Sequence, residues 1–283
     1  MHVDLHCHST ASDGECAPAD VTRRAKQAGL AAIALTDHDT TDGVAAAAAE
    51  GASLGVRVVP GCEFSVKAPW GELHLLGYFL PLGDARLEDF LRETRAARRR
   101  RGEQMVAKLQ QLGVPIALDD VEAQAKGGAV GRPHVARALV EREASDDISD
   151  AFNRYLGRGR PAYVEKPLPR LADVTELVHA VGGVSVAAHL GDHGTEGQLR
   201  QFQEQGLDGL EVRHPSHAPS VEQRLTRIAE RLGFAISGGS DWHGDTEFGD
   251  THAPLGGMRI PVEWLELLEQ RRGPIRVSAR TSA

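Results

Sequence analysis

His6 and His8 leave one face of the segment Val3-Asp4-Leu5-His6-Cys7-His8, because Val3, Leu5 and Cys7 alternate with Asp4, His6 and His8 in the period-two pattern of a half-buried strand. Two imidazoles so placed form a metal-ligand arrangement, although one His-x-His taken alone fits a solvated strand face equally well. Three further segments set acids and imidazoles at predicted strand ends: Leu35-Thr36-Asp37-His38-Asp39, Gly61-Cys62-Glu63-Phe64 and Gly238-Gly239-Ser240-Asp241-Trp242-His243. A shared divalent ion is the simplest reason for so many carboxylate and imidazole groups in such places. His74, set among apolar residues of a strand at 72–79, is by itself the pattern of a hydrogen-bonded core histidine; only the other candidates make it a ligand. His189 follows a strand at 184–188 and joins the set on the same ground.

The elements that must position these groups alternate. A helix over 18–28 opens on Pro18 and stops at Gly29, a buried strand covers 31–35, a helix over 44–54 ends at Gly55, and a strand at 56–61 leads to Glu63. Each candidate ligand therefore falls at or just past the C-terminal end of a strand, the edge where βα barrels and open α/β sheets carry their chemistry. From Asp84 the alternation breaks into helical patterns at 86–112, 118–125, 133–143 and 148–156, which predicts an inserted helical subdomain at 84–166 between barrel segments 1–83 and 167–283. The run Arg95-Ala96-Ala97-Arg98-Arg99-Arg100-Arg101 lies on the first of these helices; a helix turns about 100° per residue, so most of the arginines are solvated and one or two at most reach a substrate. Gly131-Arg132-Pro133-His134 marks a helix start, suited either to a phosphate or to an ordinary charged loop. Helices over 174–181, 199–205 and 221–232 and strands at 209–212 and 234–237 then resume the alternation, and the tail from Val277 is expected to fray.

The whole chain bounds the rest. Its 283 residues, 41% hydrophobic and 25% charged, suit one large domain or one domain with an insertion. A formal charge of -8 argues against duplex DNA as the default partner and confines any phosphate recognition to a local basic patch. Cys7, Cys16 and Cys62 are odd in number and widely spaced, against a disulfide framework. With no export signal and no apolar run long enough to cross a bilayer, a cytoplasmic protein without membrane contact is expected.

This ordered set of motifs, His-x-His, Thr-Asp-His-Asp, Gly-x-Glu, His74, a strand-end His189 and a terminal Ser-Asp-x-His, resembles the PHP (polymerase and histidinol phosphatase) family over essentially the whole chain. It is most similar to stand-alone phosphoesterases with a helical insertion, some of which hydrolyse 3′,5′-nucleoside bisphosphates or trim RNA from its 5′ end. The resemblance implies an α/β fold, a distorted (β/α)7 TIM-like barrel with two or three divalent ions, Mn²⁺ foremost and Fe²⁺ or Zn²⁺ as alternatives. Carried over by motif, His6, His8, Glu63 and Asp241 would hold one ion and bear the catalysis. Glu63, His74 and His189 would hold a second, with Glu63 bridging, and Asp13, His38 and His243 a third.

Two departures stand out. Asp13 replaces a histidine common among relatives, which suits a harder ion. His189 precedes Leu190 where relatives usually carry proline, which makes His193 a rival ligand. A water acidified by the ions would attack phosphorus, and no Gly-x-Ser-x-Gly or P-loop competes for that role. Arg98, Arg101, Arg132, His134, His214 and His217 are the candidates for a second phosphate, on a small phosphorylated nucleotide or a short single-stranded RNA end. The competing readings are a histidinol-phosphate phosphatase, which needs one phosphate pocket, and a domain kept as a structural module.

Overall fold

Strand β1 (His2–Cys7) is buried from Val3 onward on both of its faces, so its imidazoles point into the molecule and not to solvent. In the computed structural model, which describes residues 1–245 and 253–275, β1 is one stave of an eight-stranded sheet ordered β7-β6-β5-β4-β3-β2-β1-β8. The other strands are β2 (Ala32–Leu35), β3 (Arg57–Ala68), β4 (Gly71–Tyr78), β5 (Val184–Ala187), β6 (Gly209–Arg213), β7 (Ala235–Gly238) and β8 (Ile260–Pro261). Where the sheet would gape between β7 and β1, the segment after β7 closes it: the Asp241 N–H donates to the His6 carbonyl and the His8 N–H to the Trp242 carbonyl, each at 2.9 Å. The result is a nearly closed α/β barrel, as the motifs imply.

The helices on its outside are α1 (Pro18–Gln27), α2 (Val44–Leu54), α7 (Leu171–Ala180), α8 (Glu196–Glu204), α9 (Pro219–Leu232) and α10 (Val262–Glu269). Val3, Leu5, Val59, Leu76, Tyr78 and Val186 fill the interior, where the Tyr78 hydroxyl donates to the Leu5 carbonyl at 2.8 Å. No helix among the described residues is long and apolar enough to cross a membrane. The expected frayed tail lies outside the described residues.

One departure from alternation governs the site. The sequence places Glu63 beyond the end of the third strand, but β3 runs on to Ala68. At Pro60 it leaves its parallel partner β2, and from Gly61 it pairs antiparallel with β4. A hairpin thus replaces a βα step. Strand β4 pairs with β5 only from Leu75 to Tyr78, so the outer half of the hairpin rises above the barrel rim. Its two faces are sharply different. Phe64, Val66, Leu73 and Leu75 join the core under α7 and α8, while Glu63, Ser65 and Lys67 alternate with them on β3 and share the other face with Glu72 and His74 of β4; Trp70, in the turn before β4, packs against the apolar side beside Phe202.

Between β4 and β5 come α3 (Ala85–Gln111), α4 (Leu118–Ala125), α5 (Arg132–Glu141) and α6 (Ile148–Ala151), the last continuing as a π turn over Phe152–Leu156. Met105, Leu109, Val121, Val135, Leu139 and Leu156 give these helices a core of their own. On α3, Arg98 and Arg101 lie three residues apart on one face and are buried, whereas Arg99 and Arg100 face solvent.

Candidate metal centre

Glu63 is the hub. Its Oε1 lies 2.8 Å from His74 Nδ1 and 3.0 Å from His189 Nε2. Its Oε2 lies 3.3 Å from His6 Nε2 and 3.2 Å from both His8 Nε2 and His38 Nδ1. Asp241 Oδ1 closes the first set at 3.2 Å from Nε2 of both His6 and His8. Asp13 gathers the remainder, with His243 Nε2 at 3.3 Å and His38 Nε2 at 3.7 Å. All nine candidate ligands are therefore brought to one mouth. His193 is not among them: it lies outside on the surface with its ring stacked on Trp70 at 4.8 Å, so His189 faces Glu63 without a rival.

Buried Nε2 of His6 and His8 and Nδ1 of His38 make no hydrogen bond, although carboxylate oxygens surround them. Nitrogen and carboxylate donors crowded this closely, with buried ring nitrogens left over, fit divalent transition metal. The electrostatics fit too. Burial opposes the charge of His8, but Asp241 and Glu63 outweigh it and lift the imidazole to about 10. His74, also opposed by burial, rises to about 9 beside Glu63 and Glu72, and His6 is raised well above its ordinary value against burial by Asp241, Glu211 and Glu63. Despite burial, Glu63 is held well below the carboxylate range by His38, His74 and His6, Asp241 by His6, His214 and His8, and Asp13 by His38 and His243. His38 goes the other way: burial, with His8 and His74 adding to it, depresses it to about 3 against the pull of Glu63 and Asp13.

Protons on His6, His8 and His74 thus stand where cations would, and a ligating imidazole must lose its proton. Metal loading at pH 7 is therefore expected to release protons from these three imidazoles. The sign follows: because protons compete with the ion, apparent affinity falls as pH is lowered. Calorimetric titration with Mn²⁺ in two buffers of different ionisation enthalpy measures the release, and loading without protons and without pH dependence would contradict this charge assignment.

A second layer holds the mouth in shape, and sequence reasoning missed most of it. Glu211 Oε1 lies 3.0 Å from His6 Nδ1, while its Oε2 accepts the His189 N–H at 2.7 Å. Asp37 accepts from the Ser9 N–H, the Ser9 hydroxyl and the Ser12 hydroxyl, each at 2.7 Å, and so fixes the loop that carries Asp13. Asp4 accepts from the Ser240 N–H at 2.9 Å and the Gly256 N–H at 2.8 Å, tying the Asp241 loop to β1. A Cβ at Gly239 would stand 2.4 Å from the His6 Cβ, so only glycine lets that loop approach the strand. Asp39, His189 and Asp241 take left-handed backbone at φ 52°, 28° and 51°, which turns their side chains inward.

The candidates for a second phosphate divide. Arg98 donates through Nε to Asp39 Oδ2 at 2.5 Å, and Arg101 through Nε to the Val164 carbonyl at 2.8 Å; both lie on the insertion side of the mouth. Arg132 lines a groove beside it, and His214 lines the mouth itself, its Nε2 3.4 Å from Asp241 Oδ2. His134 and His217 belong to the framework. The Gly131 N–H donates to His134 Nδ1 at 2.9 Å, which caps α5. The Gly191 N–H donates to His217 Nε2 at 3.1 Å, and His217 Nδ1 donates to the Val212 carbonyl at 3.0 Å, so both ring nitrogens are engaged. Lys166, unflagged by the sequence, reaches in from the segment after the helices: its Nζ lies 2.5 Å from the Ser65 hydroxyl and 3.0 Å from Glu72 Oε1.

Comparison with known proteins places this geometry. A PHP domain model matches residues 4–117. The chain is 35% identical over 256 residues to a 3′,5′-nucleoside bisphosphate phosphatase of Chromobacterium violaceum, covering 88% of this chain and 89% of that protein. It is 32% identical over 247 residues to the 5′-3′ exoribonuclease Rnm of Escherichia coli, covering 85% and 84%. A solved structure from Bifidobacterium adolescentis, assigned as a metal-dependent phosphoesterase, superposes with a TM-score of 0.89 at 34% identity, covering 96% of this chain and 97% of that one.

Proposed function

The chain belongs to the PHP family of metal-dependent phosphoesterases, and on that premise we propose that it hydrolyses the 3′-phosphate ester of 3′,5′-nucleoside bisphosphates and releases nucleotides from the 5′ end of short single-stranded RNA. Both reactions are one bond change. Water adds to phosphorus, the P–O3′ bond breaks, and O3′ leaves with a proton. The other product is inorganic phosphate from a bisphosphate and a 5′-phosphorylated chain from RNA.

The observation that carries this reading is a cluster of buried or half-buried cations, Arg98, Arg101, Arg132 and Lys166, beside the His and carboxylate mouth. Beyond the partners that hold these side chains in place, a 5′-phosphate next to the scissile group gives their remaining N–H groups an acceptor that a substrate with a single phosphate does not supply.

In this reading His6, His8, Glu63 and Asp241 hold one ion, Glu63, His74 and His189 a second, and Asp13, His38 and His243 a third. Bound there, two or three divalent ions, Mn²⁺ foremost, supply the Lewis acidity that brings water toward neutral pKa and offsets charge on the phosphoryl oxygens. The chain does the rest. Glu211 accepts the Nδ1–H of His6 and so fixes the tautomer whose Nε2 faces the carboxylates. Asp39 orients Arg98 through Nε, which leaves the outer guanidinium nitrogens to a phosphate. His214, anchored by Ser216 Oγ at 2.8 Å from its Nδ1, is the imidazole at the mouth that can return a proton to O3′.

The deciding experiment compares the Mn²⁺-loaded protein on adenosine 3′,5′-bisphosphate, a 5′-phosphorylated RNA oligomer and histidinol phosphate, with His8→Ala as control. Turnover of the first two, abolished in the control, is the expected result. Turnover of histidinol phosphate alone would replace this reading.

A further inference from the structure

The hairpin of β3 and β4 carries site chemistry along its whole polar face, not only at the metal mouth. From Glu63 the face runs outward through Ser65 to Lys67 on one strand and from His74 to Glu72 on the other, with Ser65 opposite His74 and Lys67 opposite Glu72, and Trp70 stands in the turn at the tip, its ring 5.9 Å from that of Phe202. Four residues of strand span about 13 Å. At the outer end lies a groove of about 600 Å³ lined by Lys67, Trp70, Arg132, Arg158, Tyr163 and Lys166 together with the carboxylates Glu72 and Glu165. Glu72 is its common wall with the mouth, since the carboxylate lines the groove while its Oε1 lies 3.3 Å from His74 Nε2.

The groove's composition is specific. Lys67, Arg132 and Arg158 make no ion pair among the described residues, and the groove's four cations, these three with Lys166, outnumber its two carboxylates, Glu72 and Glu165. Trp70 is preset. Its ring lies parallel to His193, at an interplanar angle of 6°, and its indole N–H donates to the Glu72 carbonyl at 3.1 Å. Cations that follow a backbone beside a rigid aromatic ring are what a single strand of nucleic acid needs: charge for the phosphodiester and a flat face for the base. Simple anions would need no tryptophan, and an apolar ligand no arginine.

We propose that this groove binds the nucleotide immediately 3′ of the scissile phosphate, with Trp70 as the stacking platform and Lys67 and Arg158 on the phosphodiester that follows. The inference rests on the phosphoesterase reading above. When P–O3′ breaks, the remainder of the strand departs carrying its 5′-phosphate, and the groove is where it lies as it leaves. A bisphosphate ends at the scissile phosphate and does not reach Lys67, Trp70 or Arg158; Arg132 and Lys166, on the side of the groove toward the mouth, serve the 5′-phosphate of either substrate.

The test is the ratio of kcat/KM for a 5′-phosphorylated RNA trinucleotide to that for adenosine 3′,5′-bisphosphate, measured on the Mn²⁺-loaded protein. Trp70→Ala and Arg158→Ala are each expected to lower this ratio about tenfold, with Trp70→Phe restoring most of it. Arg158 is exposed, so its variant is independent of any folding defect at Trp70. An unchanged ratio in both alanine variants would overturn the proposal. If the wild type cleaves neither substrate, the catalytic reading fails and the groove is judged by binding of a fluorescent phosphorothioate trinucleotide to the loaded protein. Binding weakened in Trp70→Ala and kept in Trp70→Phe sustains it; equal binding overturns it, as does displacement by polyphosphate as readily as by single-stranded RNA.

Discussion

Glu63→Gln is expected to lower turnover by at least about a thousandfold while leaving the barrel folded. The substitution keeps the shape of the side chain and removes its charge. In the native protein one carboxyl oxygen serves His74 and His189 and the other serves His6, His8 and His38, so no other single change reaches so many donors. An amide can present only one oxygen, and its NH2 would confront an imidazole. Metal content should fall in parallel with activity, with far-UV circular dichroism unaltered. A variant that keeps its metal and more than a tenth of its rate would remove Glu63 from the centre of the mechanism.

Arg98→Met should have the largest effect on stability, about 3 kcal/mol, because it strands Asp39. That carboxylate is 1% exposed, and its remaining cation, Lys166, lies 3.9 Å away. Burial pushes the Asp39 carboxyl up, and Arg98, with Lys166 and His38, brings it below its ordinary value; without the guanidinium the burial penalty goes unanswered. The depressed carboxyl contributes stability above the unfolded pKa of aspartate and loses it as pH falls through the folded value. The deficit of the variant is therefore full at pH 7 and shrinks in acid, as the stranded Asp39 carboxylate of the variant takes up a proton that the native one, held below its ordinary value, does not yet bind. Chemical denaturation at pH 7 and near pH 4 measures both points. Asp39→Asn combined with Arg98→Met should recover most of the loss, and a double variant no better than the single one would refute the pairing argument.

What could be read from the sequence was what short-range periodicity carries. The alternation in β1 places His6 and His8 on one face, and His189 and Asp241 follow strands whose apolar runs are unmistakable. The helix α10 passed unnoticed, although Leu265 and Leu268 are the buried stripe of an ordinary amphipathic turn. The continuation of β3 past Pro60 was hidden because the change of partner from β2 to β4 leaves no mark on the chain.

Second-layer groups were harder still. Glu211 did leave a signal, as the one carboxylate in the apolar strand Gly209–Arg213, and a buried acid requires a partner. Lys166 left none, since its contacts with Ser65 and Glu72 span 101 and 94 residues. His134 and His217 show the reverse case. Their neighbourhoods look functional in sequence, but backbone groups occupy their rings.

The raised hairpin has a consequence for how the chain can change in length. Side chains on its two strands alternate, so a single residue inserted just after Phe64 moves every later position of β3 to the opposite side. Lys67 would turn into the core and Val66 toward the mouth. Two residues added to each strand restore parity and lengthen the arm by about 7 Å without disturbing Glu63 or His74. Length variation in this arm is confined to even steps, and a longer tip is a route to reaching further along a bound strand while the machinery at its base stays fixed.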